Sequence, residues 1–298
     1  MIAVKNLYKS AKLKKLLARK KAILTDISFS VPEGKIVSII GQNGAGKSTL
    51  IKAILGFTRP DSGTLHLDSR ITLGYLPENP YYYDYLTLRE LLWFSASSFG
   101  MSKADFEHAS QSAATKVGMQ AELNSRLRTF SKGMTQRAGI AAAIVHDPDL
   151  LILDEPMSGL DPVGRRMVFE LMNELREQGK TILFCSHILS DVERLCDEVY
   201  IMHQGRIRRH LTREELALTQ KNIELIVPYS DQTAALLAEQ SFQAKRFADS
   251  LSVQADGGQL NALLDHLRNH NVPVEGMQSA AVSLEQVFNQ IVAEGDVA

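Results

Sequence analysis

The segment Gly41 to Thr49 combines glycines, a lysine and two hydroxyls in the order of a phosphate-binding loop. It follows the apolar run Lys35–Ile40 and precedes a helix-like stretch, so strand, loop and helix stand in the required order. The glycines let backbone amides turn toward phosphate oxygens, and Lys47 supplies a point charge between the β- and γ-phosphates. We expect Ser48 to offer its hydroxyl to Mg²⁺, with Thr49 at the α-phosphate. The sequence therefore predicts a nucleoside triphosphate site.

Two carboxylates, Asp154 and Glu155, follow a second apolar run that begins at Leu150. This pattern is typical of a strand buried in a parallel sheet, and its end lies beside a phosphate loop. We expect Asp154 to reach Mg²⁺, directly or through water, and Glu155 to polarise the water that attacks the γ-phosphate. The carboxylates therefore predict hydrolysis of the bound triphosphate.

Three further segments narrow the family. Phe130–Met134 precedes an amphipathic stretch, Ser158–Asp161 follows the carboxylates, and His187 follows the strand-like run Thr181–Ser186. Together with the phosphate loop and the carboxylates they resemble the nucleotide-binding subunit of ATP-binding cassette (ABC) transporters, over about residues 2–215. The resemblance implies an α/β fold: a P-loop NTPase cassette with a mainly parallel sheet, an antiparallel β lobe and a helical subdomain. A small α+β domain would follow it.

In that family two cassettes face each other head to tail and enclose two ATP molecules, so the resemblance implies a dimer of this chain. It places Ser131 and Gly133, at the start of a helix, on the γ-phosphate bound by the opposite cassette. It places His187 against the γ-phosphate and the water, on the same side as Glu155. Asp161 would link the two sites across the dimer interface.

The resemblance also assigns the remaining contacts. Tyr8 occupies the place of the aromatic residue that stacks on adenine; the alternative is a strand tyrosine that covers the edge of the core. The residues implied to contact ATP are Tyr8, Gly41, Asn43, Gly44, Ala45, Gly46, Lys47, Ser48, Thr49, Glu78, Ser131, Gly133 and Asp161. Those implied to hold Mg²⁺ are Ser48, Asp154 and Glu78, and those implied to act in catalysis are Glu155, His187 and Lys47.

Two positions depart from the family's usual residues. The segment Phe130–Met134 keeps Ser131 and Gly133 but has Lys132 where glycine is usual, which adds a positive charge near phosphate. Glu78 stands in place of the usual glutamine; its carboxylate can still ligate Mg²⁺, but its charge near the γ-phosphate could slow ATP capture. Both variants look like those of the exporter branch that handles drugs, lipids, polysaccharides and antibiotics.

Length and composition agree with a peripheral subunit. A chain of 298 residues has room for one large and one small domain, and its net charge of −1 gives no basic field, so we expect no nucleic acid partner. No apolar run is long enough to span a bilayer and no signal peptide is present, so a transporter requires separate integral membrane permease subunits. The chain would then lie at the cytoplasmic face of the inner membrane. Cys185 and Cys196 lack metal-ligand spacing and are expected to be reduced.

The sequence divides into two predicted domains. Residues 1–218 form the ABC ATPase domain, with a strand-rich lobe over 1–75 and a helical subdomain over about 87–145. The helical part begins with Thr87 and Glu90 at capping-box spacing.

Residues 219–298 form the second domain, for which the pattern predicts β-α-β-β-α-β and a terminal helix. The predicted elements span 223–227, 233–239, 244–247, 251–254, 259–268, 272–278 and 284–292. This order favours a ferredoxin-like module. Similar extensions, ending near a segment like 283–288, occur in the exporter branch, where a role in dimerisation, in regulation or in stability alone remains open.

Two surface segments each allow two interpretations. Tyr81–Tyr85 is rich in tyrosine and lies where ABC cassettes receive the coupling helix of the membrane subunit; alternatively these tyrosines pack the two subdomains together. Residues 12–21 are basic with leucines at helical spacing, which suits anionic lipids or a partner, or else a solvated hairpin tip.

Other functions compete with transport. A soluble ABC ATPase could act as a mechanical switch on the ribosome, DNA or a pilus-like assembly, although such proteins usually carry two cassettes or long coiled coils. A small-molecule kinase would lack the segment around Ser131 and the histidine at position 187. The cargo of a transporter is not encoded here, because substrate contacts lie in the membrane subunits.

Overall fold

The computed structural model describes residues 1–12, 20–219, 223–239, 242, 244–255, 259–279 and 284–296. These residues form two compact units, one of Met1–Leu211 with the C-terminal residues from Glu294, and one of Thr212–Ala293. The basic segment predicted at 12–21 lies largely outside the described residues. In the part of the chain that is described, no helix combines the length and apolar character needed to cross a membrane.

Strands and helices alternate along most of the chain. The strands are β1 Ile2–Lys12, β2 Lys20–Val31, β3 Ile36–Ile40, β4 Ser62–Leu67, β5 Leu73–Leu76, β6 Leu150–Asp154, β7 Thr181–Ser186, β8 Glu198–His203, β9 Arg206–Thr212, β10 Ile223–Pro228, β11 Ala244–Phe247, β12 Ser250–Ala255 and β13 Gly276–Ser279. The helices are α1 Lys47–Ile54, α2 Leu88–Ser98, α3 Lys103–Lys116, α4 Lys132–Ile144, α5 Pro162–Glu177, α6 Leu189–Leu195, α7 Arg213–Thr219, α8 Asp231–Glu239, α9 Leu260–Asn269 and α10 Leu284–Asp296. Short 3₁₀ turns span Gln120–Glu122 and Leu127–Thr129.

A six-stranded sheet in the order β5-β6-β7-β3-β8-β9 forms the centre of the first unit. The pairs from β5 to β8 are parallel, and every residue of β3, β6 and β7 is buried, as expected for strands covered on both faces. The mainly parallel core predicted from the sequence is confirmed. Because β6, β7 and β3 are neighbours, the segments that follow them meet at one edge of the sheet.

An antiparallel sheet in the order β2-β1-β4 forms the predicted β lobe. Its inward residues, such as Ile2, Leu7 and Ile27, belong to the same apolar cluster as Leu50 and Ile54 of α1. The lobe is therefore fixed to the helix that follows the phosphate loop.

Helices α2, α3 and α4 lie between β5 and β6 in the chain. The capping box predicted at the start of α2 is present: the Thr87 hydroxyl accepts the amide of Glu90, and the Glu90 carboxylate accepts the amide of Thr87. Trp93 and Phe106 join α2 to α3 through an edge-to-face contact with ring centroids 5.0 Å apart. These contacts hold the layer against which α4 packs.

The second unit contains an antiparallel sheet in the order β11-β12-β10-β13. Its apolar cluster includes Leu225, Val253 and Leu263. The strand predicted over 272–278 is wrong at its start, because β13 begins only at Gly276. The Val272 amide instead donates to Leu267 O at the end of α9, and the following Pro273 has no amide to give to a strand.

Replacing Thr87 by alanine should lower the free energy of unfolding by about 1 kcal/mol, because the Glu90 amide at the start of α2 loses the hydroxyl that caps it. Urea titration would measure it. Thr115→Ala is the matched control, since its exposed hydroxyl only donates back to Gln111 O within a helix. Equal effects of the two substitutions would contradict the capping role.

Candidate nucleotide site

An open cavity of about 840 Å³ lies at the edge of the central sheet where the phosphate loop leaves β3. It brings together residues from the phosphate loop, from the ends of β5 and β6, from β2, and from the β8–β9 turn. They are Lys21, Ala22, Ile23, Gln42, Asn43, Gly44, Gly46, Lys47, Ser48, Thr49, Glu78, Asp154, Glu155, Gln204 and Gly205.

The phosphate loop has the backbone that its glycines allow. Gly44 and Gly46 have φ angles of 84° and 108°, in the left-handed region where a side chain is strained. A Cβ added at Gly46 would also lie 2.9 Å from Met202 Cε. The buried Lys47 ammonium donates to Gly41 O at 2.7 Å and to Gln42 O at 3.4 Å, so its charge lies over the loop.

Asp154 is buried at the end of β6 and accepts a hydrogen bond from the Ser48 side chain at the start of α1. Burial is the main cause that raises the pKa of Asp154 to about 6, and the Glu78 and Glu155 carboxylates add to it. The hydrogen bond from Ser48 and the charge of Lys47 act in the opposite direction. Within the described residues, Asp154 Oδ1 has no hydrogen-bond partner.

The oxygens around Asp154 fit a magnesium ion. Asp154 offers an unpartnered carboxylate oxygen, and Ser48 and Glu78 line the same cavity. Hard oxygen donors suit Mg²⁺, which usually takes one or two carboxylates and completes its shell with water and phosphate. In the described ranges, no group of three or more His, Cys, Asp or Glu residues could hold a metal ion.

Glu155 is buried with its carboxylate beside His187, whose Nδ1 lies 2.7 Å from Glu155 Oε2. The Glu155 backbone has φ 54°, a left-handed value that strains a residue with a side chain. Its amide donates to Cys185 O on β7 at 3.0 Å, and β7 leads directly to His187. The structure thus brings together the predicted base and the predicted histidine.

Sequence reasoning missed Gln136. This residue lies in α4 and is buried, and its Nε2 donates to Glu155 O at 3.0 Å and to Pro156 O at 3.2 Å. The signal in the sequence is weak: a glutamine just before a run of alanines and isoleucines that the helix buries. Lys21–Ile23 and Gln204–Gly205 of the cavity wall were also missed, because only the fold brings them near the loop.

Gly41 and Ala45 belong to the loop, and their carbonyl oxygens accept hydrogen bonds that stabilise it. Gly41 O accepts from Lys47, and Ala45 O accepts from the Gly205 amide at 3.0 Å.

Ser131, Gly133 and Asp161 lie at helix starts and do not line the cavity formed by the described residues. Ser131 caps α4 by accepting the Met134 amide at 3.2 Å, and Asp161 caps α5 by accepting the Gly164 amide at 2.7 Å. Their predicted contacts with nucleotide remain predictions.

Tyr8 is not among the described residues that line the cavity. Tyr8 is in register with Ser62 of β4, whereas the residues of β1 in register with the cavity wall at Ala22 and Lys21 are Ser10 and Ala11. The predicted stacking of Tyr8 on adenine remains a prediction.

Replacing Asp154 by asparagine should stabilise the nucleotide-free, metal-free protein at about pH 7.5 by about 1–3 kcal/mol. The folded pKa, about 6, lies above the ordinary value of 3.8. The protonated carboxyl therefore stabilises the folded state fully below about pH 4, and this stabilisation is lost as the pH rises through 6. Asparagine carries no charge and avoids that loss.

Urea titration in EDTA at several pH values would measure this difference, which should shrink toward acid pH. Asp149→Asn, at the other end of β6, is the contrasting control. The hydrogen bond from the backbone amide of Thr72 is the main cause that lowers the pKa of Asp149. Loss of the Asp149 carboxylate should therefore destabilise the protein at neutral pH. A stabilisation by Asp154→Asn that does not change with pH would contradict the electrostatic cause.

Comparison with known proteins agrees with this geometry. The family model for ABC transporters matches residues 24–158. The chain is 36% identical to the uncharacterized ABC transporter ATP-binding protein sll0415 of Synechocystis, over 89% of this chain and 77% of the relative. It is 32% identical to YxlF of Bacillus subtilis, an uncharacterized ABC transporter ATP-binding protein, over 98% and 99% of the two chains. It is also 32% identical to the bacitracin transport ATP-binding protein BcrA of Bacillus licheniformis, over 97% and 98%.

Solved structures show the same fold. An ATP-binding subunit of an ABC transporter matches with a TM-score of 0.64 and 35% identity, over 71% of this chain and 90% of that chain. A dimeric ATP-binding cassette in a post-hydrolysis state, bound to ADP and phosphate, matches with a TM-score of 0.66 and 21% identity, over 72% and 99%. The chain therefore belongs to the ABC transporter ATP-binding proteins and is an ATPase of the ATP-binding cassette fold.

Proposed function

We propose that this chain is the ATP-hydrolysing subunit of an exporter, in which two copies close head to tail on ATP and drive separate membrane-spanning permease subunits. The carboxylate of Glu155, bonded to His187 beside the phosphate loop, is the observation that carries the proposal. Residues 1–218 would act as the ATPase domain and residues 219–298 as an accessory domain.

The phosphate loop would hold the triphosphate. Backbone amides around Gly44 and the start of α1 provide donors, and the Lys47 ammonium already lies over the loop. Ser48, Asp154 and Glu78 would hold Mg²⁺, which supplies positive charge to the phosphates when bound. Glu78 adds a carboxylate to this set, so capture of ATP should depend on the metal more strongly than with glutamine.

Glu155 would accept the proton of the attacking water. Its carboxylate already hydrogen-bonds with His187 Nδ1, and its backbone amide donates to Cys185 O on β7. A general base must be held within hydrogen-bond reach of the proton that it removes. His187 would therefore orient the base and contact the γ-phosphate.

The dimer would complete each site. Ser131 and Gly133 begin α4 outside the chain's own cavity, which fits a contact with the nucleotide of the partner cassette. Asp161 begins α5 just after the segment that follows Glu155, where it could link the two sites. The cleft of one copy would thus be closed by a helix start of the other.

The tyrosines after β5 would bind the permease. Tyr81, Tyr83 and Tyr85 are 85%, 77% and 75% exposed, so packing between subdomains does not account for them. Tyr82 differs, since burial raises its pKa to about 12. Exposed tyrosines make good anchors at interfaces. The relative named for bacitracin transport supports a transport role, and through the permease the chain would lie at the cytoplasmic face of the inner membrane.

Glu155→Gln should leave Mg-ATP binding intact, lower hydrolysis by roughly 10²–10⁴-fold and accumulate the ATP-bound dimer. Lys47→Ala is the contrasting variant, because loss of the ammonium should weaken ATP binding itself. Equilibrium binding, single-turnover hydrolysis and size-exclusion chromatography separate these effects. A parent hydrolysis rate in Glu155→Gln would refute the assignment of the base.

Tagged Glu155→Gln protein with Mg-ATP, isolated from gently solubilised membranes, should carry a stoichiometric multi-spanning partner identifiable by mass spectrometry. In that protein, combining Tyr81→Ala with Tyr83→Ala should release the partner, and the same pair of substitutions in the chain with Glu155 intact should leave its ATPase activity unchanged. Phe247→Ala, which removes another exposed aromatic side chain but in the second unit, is the control and should not release the partner. Recovery of soluble partners alone would favour a mechanical switch on a non-transport assembly.

A further inference from the structure

Gln136 is a polar side chain almost completely enclosed by the protein. It is 2% exposed, and its single amide nitrogen donates two hydrogen bonds, to Glu155 O at 3.0 Å and to Pro156 O at 3.2 Å. Burying an amide is unfavourable unless its donors are satisfied, so both bonds matter to the energy of this arrangement.

The two carbonyls belong to the turn that carries Glu155. The left-handed φ of 54° at Glu155 is a strained conformation that persists only when the surroundings fix it. Pro156 has no amide hydrogen, so the peptide between these residues can be held only through its carbonyl oxygen, Glu155 O. Glu155 O also accepts from the Ser158 amide at 3.0 Å, whereas Gln136 is the partner that reaches both carbonyls.

The chemistry of the side chain is selective. A primary amide nitrogen carries two N–H groups and can serve two carbonyls at once without introducing a charge. Methionine has a similar size but no hydrogen-bond donor. A carboxylate would point its lone pairs at those of the two carbonyl oxygens. Asparagine keeps both N–H groups on a shorter side chain.

We propose that Gln136 is a positioning residue for hydrolysis: it fixes the strained turn at Glu155 so that the carboxylate faces the attacking water. The inference rests on the proposed role of Glu155 as the base. Gln136 touches neither nucleotide nor water in this scheme and acts through the backbone of Glu155. Its removal should therefore change the rate of the chemical step and not the affinity for ATP.

Gln136→Met should lower kcat by about 10²-fold with little change in the KM for ATP, in line with the effect of misplacing a catalytic group. Gln111→Met, on the exposed surface of α3, is the matched control and should hydrolyse ATP at the parent rate. Equilibrium binding of Mg-ATP and thermal unfolding would show that the site and fold are retained. A parent kcat in Gln136→Met would overturn the proposal.

Gln136→Asn separates donation from packing. If hydrogen bonding to the carbonyls matters, asparagine should retain more activity than methionine; if only volume matters, methionine should retain more. Higher activity in Gln136→Met than in Gln136→Asn would overturn the proposal. If Gln136→Met does not fold, Gln136→Asn can still be compared with the parent.

A double-mutant cycle tests whether Gln136 acts through Glu155. In single-turnover reactions, Gln136→Met should have little further effect on the residual rate of Glu155→Gln protein. The same loss in both backgrounds would overturn the positioning role. A parent rate in Glu155→Gln alone would instead overturn the assignment of the base, so the two failures are distinguishable.

Discussion

The edge formed by three adjacent parallel strands is the constraint on which the site depends. β6, β7 and β3 are hydrogen-bonded in that order, with a continuous register from Asp154↔Cys185 on one side to Ile40↔Ser186 on the other. Evenly spaced hydrogen bonds between the parallel strands fix this register. The carboxylates, His187 and the phosphate loop follow these strands directly, so their proximity is a property of the sheet. Buried apolar side chains that no nucleotide touches therefore set the geometry of the reaction.

This rigid placement concentrates negative charge. Asp154, Glu155 and Glu78 line one cavity, and burial with mutual repulsion raises the pKa of Asp154 to about 6. The Lys47 ammonium and the amides of the loop oppose this charge only in part. The carboxylates are thus less favourable here than they would be in water, and binding of a cation would relieve the repulsion. Affinity for the metal and stability of the folded state are coupled through the same atoms.

Features determined by neighbours in the chain could be predicted from the sequence, as the phosphate loop, the buried strands and the cap at Thr87 illustrate. Features that depend on register or on distant packing could not. The place of Ala22 and Ile23 in the cavity wall could not be predicted, because the sequence does not state which residues of β1 and β2 face each other. Gln136 gave little signal because its carbonyl partners lie on another element. The prediction of a strand at 272–275 is wrong because the Val272 amide donates to a carbonyl of helix α9 and Pro273 has no amide hydrogen.

Helix α4 connects features that the sheet alone would leave separate. Its first turn begins at Ser131, the residue proposed to meet the partner's nucleotide, and its second turn carries Gln136 behind Glu155. A Cβ at Gly133 would lie 3.3 Å from Gly159 O, so the helix packs closely on the segment that follows the base. Helix and segment cannot shift independently, since close-packed interfaces deform poorly. In the proposed dimer, contact with the nucleotide of one cassette would reach the base of the other through one helical turn, without any change in the sheet.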